Sequence, residues 1–202
     1  MICIIDYGVG NLFSLKSSFN VIGAETIVSG DEKVIRKADK LVLPGVGAFG
    51  DASKKLFETG LDKVIKQQVE NGVPLLGVCL GMQMLFEKSL EYGEHKGLGL
   101  IKGRVEKIDL PKEYKIPHIG WNALHFVKDS PLLKYVKNND CVYFVHSYCA
   151  VDVKDSLIAT TEYGKEITAI VGQGNVYGCQ FHPEKSGNVG LNILKAFAQL
   201  GE

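Results

Sequence analysis

Gly77, Cys79 and Gly81 form a pattern, Gly-x-Cys-x-Gly, that fits a strand turning abruptly into a helix. The apolar run from Pro74 to Val78 suits a buried strand, and Leu80, Met84 and Leu85 follow at the spacing of a helix's core face. Cys79 stands at the join. A side chain at either flanking glycine would crowd the backbone of so sharp a turn. The arrangement is a nucleophile elbow carrying sulfur in place of a hydroxyl. A thiol at a helix N-terminus feels the positive end of the helix dipole, which favours the reactive thiolate. Unpaired N–H groups of the same turn can receive a developing oxyanion. Gln83, four residues on, shares the helix face of Cys79 and looks into the same pocket. The plain alternative is that Cys79 is a small buried hydrophobe.

The elbow strand closes a run of alternating elements. Ile2 to Ile5 is a continuous apolar strand, and Leu12, Leu15, Phe19 and Ile22 keep helical spacing until Gly23 stops them. Short strands at Glu25 to Val28 and Lys40 to Leu43 enclose a polar helix at Asp31 to Lys37, and a helical stretch covers Asp51 to Glu70. This β/α alternation predicts a doubly wound, flavodoxin-like parallel sheet. The second half is richer in strands, at Gly103 to Asp109, Trp121 to Val127, Asp140 to Val151, Ser156 to Thr161, Ile167 to Val171 and Asn175 to Phe181, before a helix from Val189 to Leu200. An antiparallel extension on an α/β core is expected, in a single domain over residues 1–202.

Composition excludes several classes of partner. The 23 basic residues balance the 23 acidic ones, which favours neither nucleic acid nor an anionic membrane. No apolar run reaches the ~20 residues of a membrane span, and a cytoplasmic location is expected. The five cysteines include no Cys-x-x-Cys pair, so neither a disulfide framework nor a zinc site is expected, and no metal or cofactor is called for. Cys3, Cys141, Cys149 and Cys179 lie in strand-like runs and suit core packing.

Two glycine-rich segments follow strands. Gly45-Val46-Gly47-Ala48-Phe49-Gly50 matches a dinucleotide fingerprint literally, but the next strand ends in Cys79 where an acidic residue would have to bind ribose. A loop of this kind beside the elbow can instead supply a second N–H to an oxyanion hole. Gly8-Val9-Gly10-Asn11 suits a turn with a helix cap as well as it suits a binding role.

A thiol nucleophile needs a base, and among five histidines His182 stands apart. Pro183 keeps its segment extended, and alternation places His182 and Glu184 on one side. The carboxylate can then orient the imidazole while its other nitrogen works on Cys79. A surface ion pair is the alternative. His95 lies in a polar loop, and packing or surface roles suit His118 and His125.

Gly77-Val-Cys79-Leu-Gly81-Met-Gln83, with Gln180-Phe-His182-Pro-Glu184-Lys-Ser186 about a hundred residues later, resembles the class I, triad-type glutamine amidotransferases. Pro44-Gly45-Val46-Gly47, Pro117-His118-Ile119-Gly120-Trp121-Asn122 and Tyr143-Phe144-Val145-His146-Ser147-Tyr148 narrow the likeness to the glutaminase subunits of imidazole glycerol phosphate synthase. The resemblance covers the whole chain. It implies a triad of Cys79, His182 and Glu184 that hydrolyses glutamine, with Leu80 and the Val46-Gly47 peptide as oxyanion hole. It further implies substrate contacts from Gly45, Gln83, Glu91, His146, Ser147 and Tyr148. The expected acceptor of ammonia is a separate (β/α)8-barrel cyclase subunit of the histidine pathway, met by Asn11, Trp121, Tyr143 and Lys185. Three other readings stay open: a paralogue serving another ammonia acceptor, a cysteine hydrolase acting alone, and a non-catalytic module on the same fold.

Overall fold

Strand β1, Ile2–Ile5, is buried at all four residues. An apolar run without alternation suits a strand covered on both faces, as in a parallel sheet packed between helices. In the computed structural model, which describes residues 1–201, β1 lies between β2 (Thr26–Ser29) and β3 (Lys40–Leu43), parallel to both. Next comes β4 (Leu75–Val78), and the C-terminal strand β14 (Val176–Cys179) pairs parallel to its far side. Beyond β14 the direction reverses through β13 (Glu166–Gln173), β12 (Leu157–Glu162) and β9 (His125–Phe126), giving the order β2-β1-β3-β4-β14-β13-β12-β9. The parallel portion is the doubly wound core, and the antiparallel strands are its extension.

Helices cover both faces because successive strand residues point to opposite sides. Helices α3 (Phe49–Glu58) and α4 (Leu61–Glu70) pack over Cys3, Ile5, Leu41, Leu43 and Leu75, with α2 (Glu32–Ile35) at the margin. On the other face α1 (Leu12–Val21) and α6 (Gly187–Ala198) cover Ile2, Ile4, Val42, Leu76 and Val78. Helix α5 (Leu80–Gln83) follows the elbow directly.

Several expected boundaries move. The helix expected over Asp51 to Glu70 is two helices, because Gly60 takes a left-handed φ of 73° and turns the chain between them. The helix expected through Leu85 ends after one turn, at Gln83. The strand expected from Asp140 to Val151 breaks at Ser147, where β10 (Cys141–His146) passes into β11 (Tyr148–Val151). Strand β10 forms a separate two-stranded ribbon with β8 (His118–Ala123), whereas β11 joins β7 (Arg104–Lys107) in a small sheet with β5 (Lys88–Ser89) and β6 (His95–Lys96). The strand expected over Trp121 to Val127 likewise divides between β8 and β9 at the buried Leu124. Cys141 is exposed at the start of the ribbon, against the expectation of core packing, while Cys3, Cys149 and Cys179 are buried. Among the described residues no helix is long and apolar enough to cross a membrane, and no cluster of His, Cys, Asp and Glu could hold a metal.

Candidate active site

Both halves of the predicted catalytic pair stand at the C-terminal end of the parallel strands, where open α/β sheets bind their ligands. Cys79 follows β4 with φ 54° and ψ −112°, a strained backbone for a residue with a side chain. Its N–H donates to the Cys179 carbonyl at 2.8 Å, which ties the elbow to β14. Close packing holds the turn. A Cβ on Gly81 would lie 1.9 Å from the Leu43 carbonyl oxygen, and one on Gly77 would lie 2.6 Å from the Gly81 carbonyl oxygen.

His182 leaves β14 in extended conformation, its N–H bonded to the Tyr143 carbonyl at 3.0 Å. Its Nδ1 stands 2.8 Å from Glu184 Oε1, and both side chains are almost wholly buried. The other carboxylate oxygen, Glu184 Oε2, is buried without a hydrogen-bond partner. Burial pulls the imidazole pKa down, but hydrogen bonds and charge from Cys79 and Glu184 outweigh it and raise the pKa to about 10. The result is an imidazolium between two acidic groups. Burial pushes the Cys3 and Cys149 thiols up to about 11 and raises Cys179 well above its ordinary value.

A cavity of about 390 Å³ opens over this pair, at the small end of ligand pockets. Cys79, Leu80, Val46, Gly47, His182 and Gln83 line one part, and Glu91, His146, Ser147, Tyr148 and Lys185 line the rest with Pro117 and Val145. Gly45 is not among the lining residues. It packs behind the elbow, where a Cβ would lie 2.7 Å from the Gly81 nitrogen and 2.8 Å from Leu80 Cβ. Glu91 accepts from the Phe49 N–H at 2.6 Å, so its carboxylate caps the start of α3, which follows the Val46-Gly47 loop. The Tyr148 carbonyl accepts from His146 Nδ1 at 2.8 Å and from Gln83 Nε2 at 3.1 Å.

Of the expected partner residues, one borders the cavity, two lie on the ribbon and one precedes α1. Lys185 is exposed where it borders the cavity. Trp121 and Tyr143 are opposite each other on the ribbon, with ring centroids 6.0 Å apart. Ile119 and Trp121 are 57% and 55% exposed on the ribbon's outer face, so Trp121 is no core residue. Asn11 is half-buried just before α1.

Two buried side chains at this site were not among the expected site residues. His118 is fully buried and pairs across the ribbon with His146, the rings meeting at 3.1 Å from Nδ1 to Nε2. It stacks between Tyr163 and Phe144 and reaches Asn122 Oδ1 at 2.8 Å. Register between strands, which a lone sequence does not display, is what brings the two histidines together. Gln180 is also fully buried, and its Nε2 lies 3.9 Å from Cys79 Sγ. Carrying the alternation of His182 and Glu184 back by two residues would have found it.

The two classes of histidine should separate in solution. Burial, only partly opposed by the Tyr148 carbonyl, pushes His146 down to about 4, so it is neutral where His182 is charged. Because His182 is raised above its ordinary 6.5, its contribution to stability is complete below that pH and fades as pH rises through 10. Side-chain NMR should find His182 protonated and His146 neutral at about pH 8. The opposite order would overturn this electrostatic picture.

Comparison with known proteins agrees with the geometry. Residues 3–199 match the family model for class-I glutamine amidotransferases. Two relatives are each called imidazole glycerol phosphate synthase subunit HisH. That of Caldanaerobacter subterraneus subsp. tengcongensis is 52% identical, over 99% of this chain and 98% of its own. That of Lactococcus lactis subsp. lactis is 53% identical, over 98% of each. A solved structure, PurLQS from Thermotoga maritima, is similar in fold at TM-score 0.75 and 18% identity, over 97% of this chain and 96% of that one.

Proposed function

Since this chain belongs to the class-I glutamine amidotransferase family, among the HisH subunits of imidazole glycerol phosphate synthase, we propose that it hydrolyses glutamine through Cys79, His182 and Glu184. The observation that carries this reading is the shared cavity: Cys79 and His182, from neighbouring strands, border one pocket with Glu184 2.8 Å behind the imidazole.

The chemistry then follows from the residues. The Cys79 sulfur attacks the side-chain amide carbon, and a tetrahedral oxyanion forms within reach of N–H groups of Leu80 and the Val46-Gly47 loop. His182 gives its proton to the departing nitrogen, the C–N bond breaks, and ammonia leaves a γ-glutamyl thioester. Water attacks that thioester while His182 takes its proton. The C–S bond breaks, giving glutamate and the restored thiol. Glu184 orients the ring and stabilises its cation. Gln83, Glu91, His146, Ser147 and Tyr148 hold the amino-acid end of the substrate, and Gly45 acts from behind by keeping the elbow in place.

Ammonia goes to the partner subunit, which we take to be a (β/α)8-barrel cyclase in the same cytoplasmic compartment. The exposed ribbon suits this docking because aromatic side chains lie uncovered beside the cavity mouth, the kind of anchor that dominates protein interfaces. Asn11 and Lys185 extend the contact around it.

The test is glutamate release from glutamine by this chain alone, with the cyclase, and with cyclase plus its ribulosyl nucleotide. A low rate that rises sharply only in the third case is expected. Trp121→Ala should weaken association by about 2 kcal/mol or more and leave Cys79 open to glutamine-analogue labelling. A rate indifferent to the cyclase would point to another acceptor or to a hydrolase acting alone. Failure of Cys79 to label at all would leave only a binding role.

A further inference from the structure

Gln180 is a fully buried amide beside the proposed nucleophile, and hydrogen bonding dictates which way round it sits. Its backbone is anchored to β13, the N–H donating to the Ala169 carbonyl at 2.9 Å. Its side chain completes a line of three polar groups. Gln83 Nε2 donates to the Tyr148 carbonyl at 3.1 Å and to Gln180 Oε1 at 3.0 Å, and Gln180 Nε2 donates to Cys79 Sγ at 3.9 Å.

A side-chain amide can be turned end for end, but a backbone carbonyl can only accept. The Tyr148 carbonyl already accepts from His146 Nδ1 at 2.8 Å, which fixes its role twice over. Turning Gln83 would set oxygen against that carbonyl, so Gln83 must present nitrogen. Gln180 must then present oxygen to Gln83 and nitrogen to the sulfur. The polarity of the line ends in a donor aimed at Cys79. A donor stabilises a thiolate more than a thiol, and the low dielectric of a buried chain strengthens the effect.

We infer that Gln180 is a positioning residue for the nucleophile, holding the Cys79 sulfur in a fixed orientation with a donor turned toward it, through an amide relay that begins at the Tyr148 carbonyl. The relay joins the strand that borders the substrate end of the cavity to the reacting atom, without passing through His182. Other titratable groups around Cys79 are His182 with Glu184 behind it, Cys179 on β14 and Tyr7 after β1. A change at Gln180 leaves all of them in place. The inference rests on the reading of Cys79 as nucleophile, and the experiment tells the two apart.

In a Cys141→Ser background, which removes the exposed thiol, iodoacetamide alkylation of Cys79 is followed by peptide mass spectrometry across pH, for the parent chain and for Gln180→Met and Gln180→Glu. Gln180→Met keeps the length of the side chain and loses the donor. It should raise the pH midpoint of alkylation by about one and lower kcat for glutamine by about tenfold or more in the cyclase complex, with KM little changed. Gln180→Glu keeps the acceptor for Gln83 but faces the sulfur with a carboxylate, and should raise the midpoint further. An unchanged midpoint in a folded variant overturns the relay and leaves Gln180 a packing residue. Should neither variant fold, the Gln180 side-chain amide resonance of the parent chain must shift when Cys79 is alkylated, and a stationary resonance overturns the relay equally. If instead full alkylation of Cys79 leaves glutaminase intact, the proposed function fails and the relay loses its purpose.

Discussion

Cys79→Ala should abolish glutamine hydrolysis, by ~10⁴-fold or more, while the assembled enzyme goes on making product from added ammonium. The first effect follows because no other group borders the cavity with comparable nucleophilicity, and the second because the acceptor site is assigned to the partner chain. The loss should be chemical rather than structural. Alanine tolerates a φ of 54° no better and no worse than cysteine, so the strain of the elbow is the same in both. Thermal melting should therefore change little, and Cys79→Ser should behave alike because a hydroxyl in this setting is the weaker nucleophile. Loss of both activities in a variant that still binds the cyclase would refute the division of labour.

Gly81→Ala should be among the most damaging single methyl groups in the chain. Its Cβ would lie 1.9 Å from the Leu43 carbonyl oxygen and 2.8 Å from the carbon that bears it. Neither atom can swing aside, because both are backbone at the end of a central strand. The elbow or β3 must move, at a cost of about 3 kcal/mol or more, which in a domain of this size lowers Tm by roughly 10 °C. Any surviving folded fraction should hydrolyse glutamine poorly, since β3 leads straight into the Val46-Gly47 loop. Gly23→Ala is the control: its φ of 75° imposes a backbone strain that Gly81 does not carry, yet nothing lies within 4 Å of the added methyl. A melt for Gly81→Ala no lower than that of Gly23→Ala would show that the elbow has slack the packing does not suggest.

The core of this fold was legible because its strands are short and uniformly apolar. Ile2 to Ile5 and Leu75 to Val78 admit few other readings, and Gly77 and Gly81 mark the turn between strand and helix. What escaped was determined at a distance. Leu56, Leu61, Val64 and Ile65 continue one helical pattern through Gly60, and only the packing of α3 beside α4 requires the chain to turn there. Residues 141 to 151 carry strand-like side chains throughout, so nothing local announces that the chain changes sheets at Ser147. The same break decides the fate of Cys141 and Trp121. They lie on a ribbon whose inner side chains are buried and whose outer side chains are not, a difference that period-2 alternation permits without saying which side is which. Packing and surface roles both stayed open for His118 for that reason, and register alone places it on the inner side.

The pairing of β4 with β14 carries a further consequence. Val78 lies opposite Cys179, so the thiol and its proposed base follow strands that touch yet are far apart along the chain. That contact is also the seam where the N-terminal half of the chain meets the C-terminal half within the parallel sheet. Closing it requires a loop of about a hundred residues, among the costliest and slowest kinds of contact to form. Neither half contains a working site. During refolding, then, recovery of glutaminase times the closure of the seam itself, and a chain severed in the exposed stretch between residues 111 and 115 would be two inert pieces whose activity returns only as they find each other.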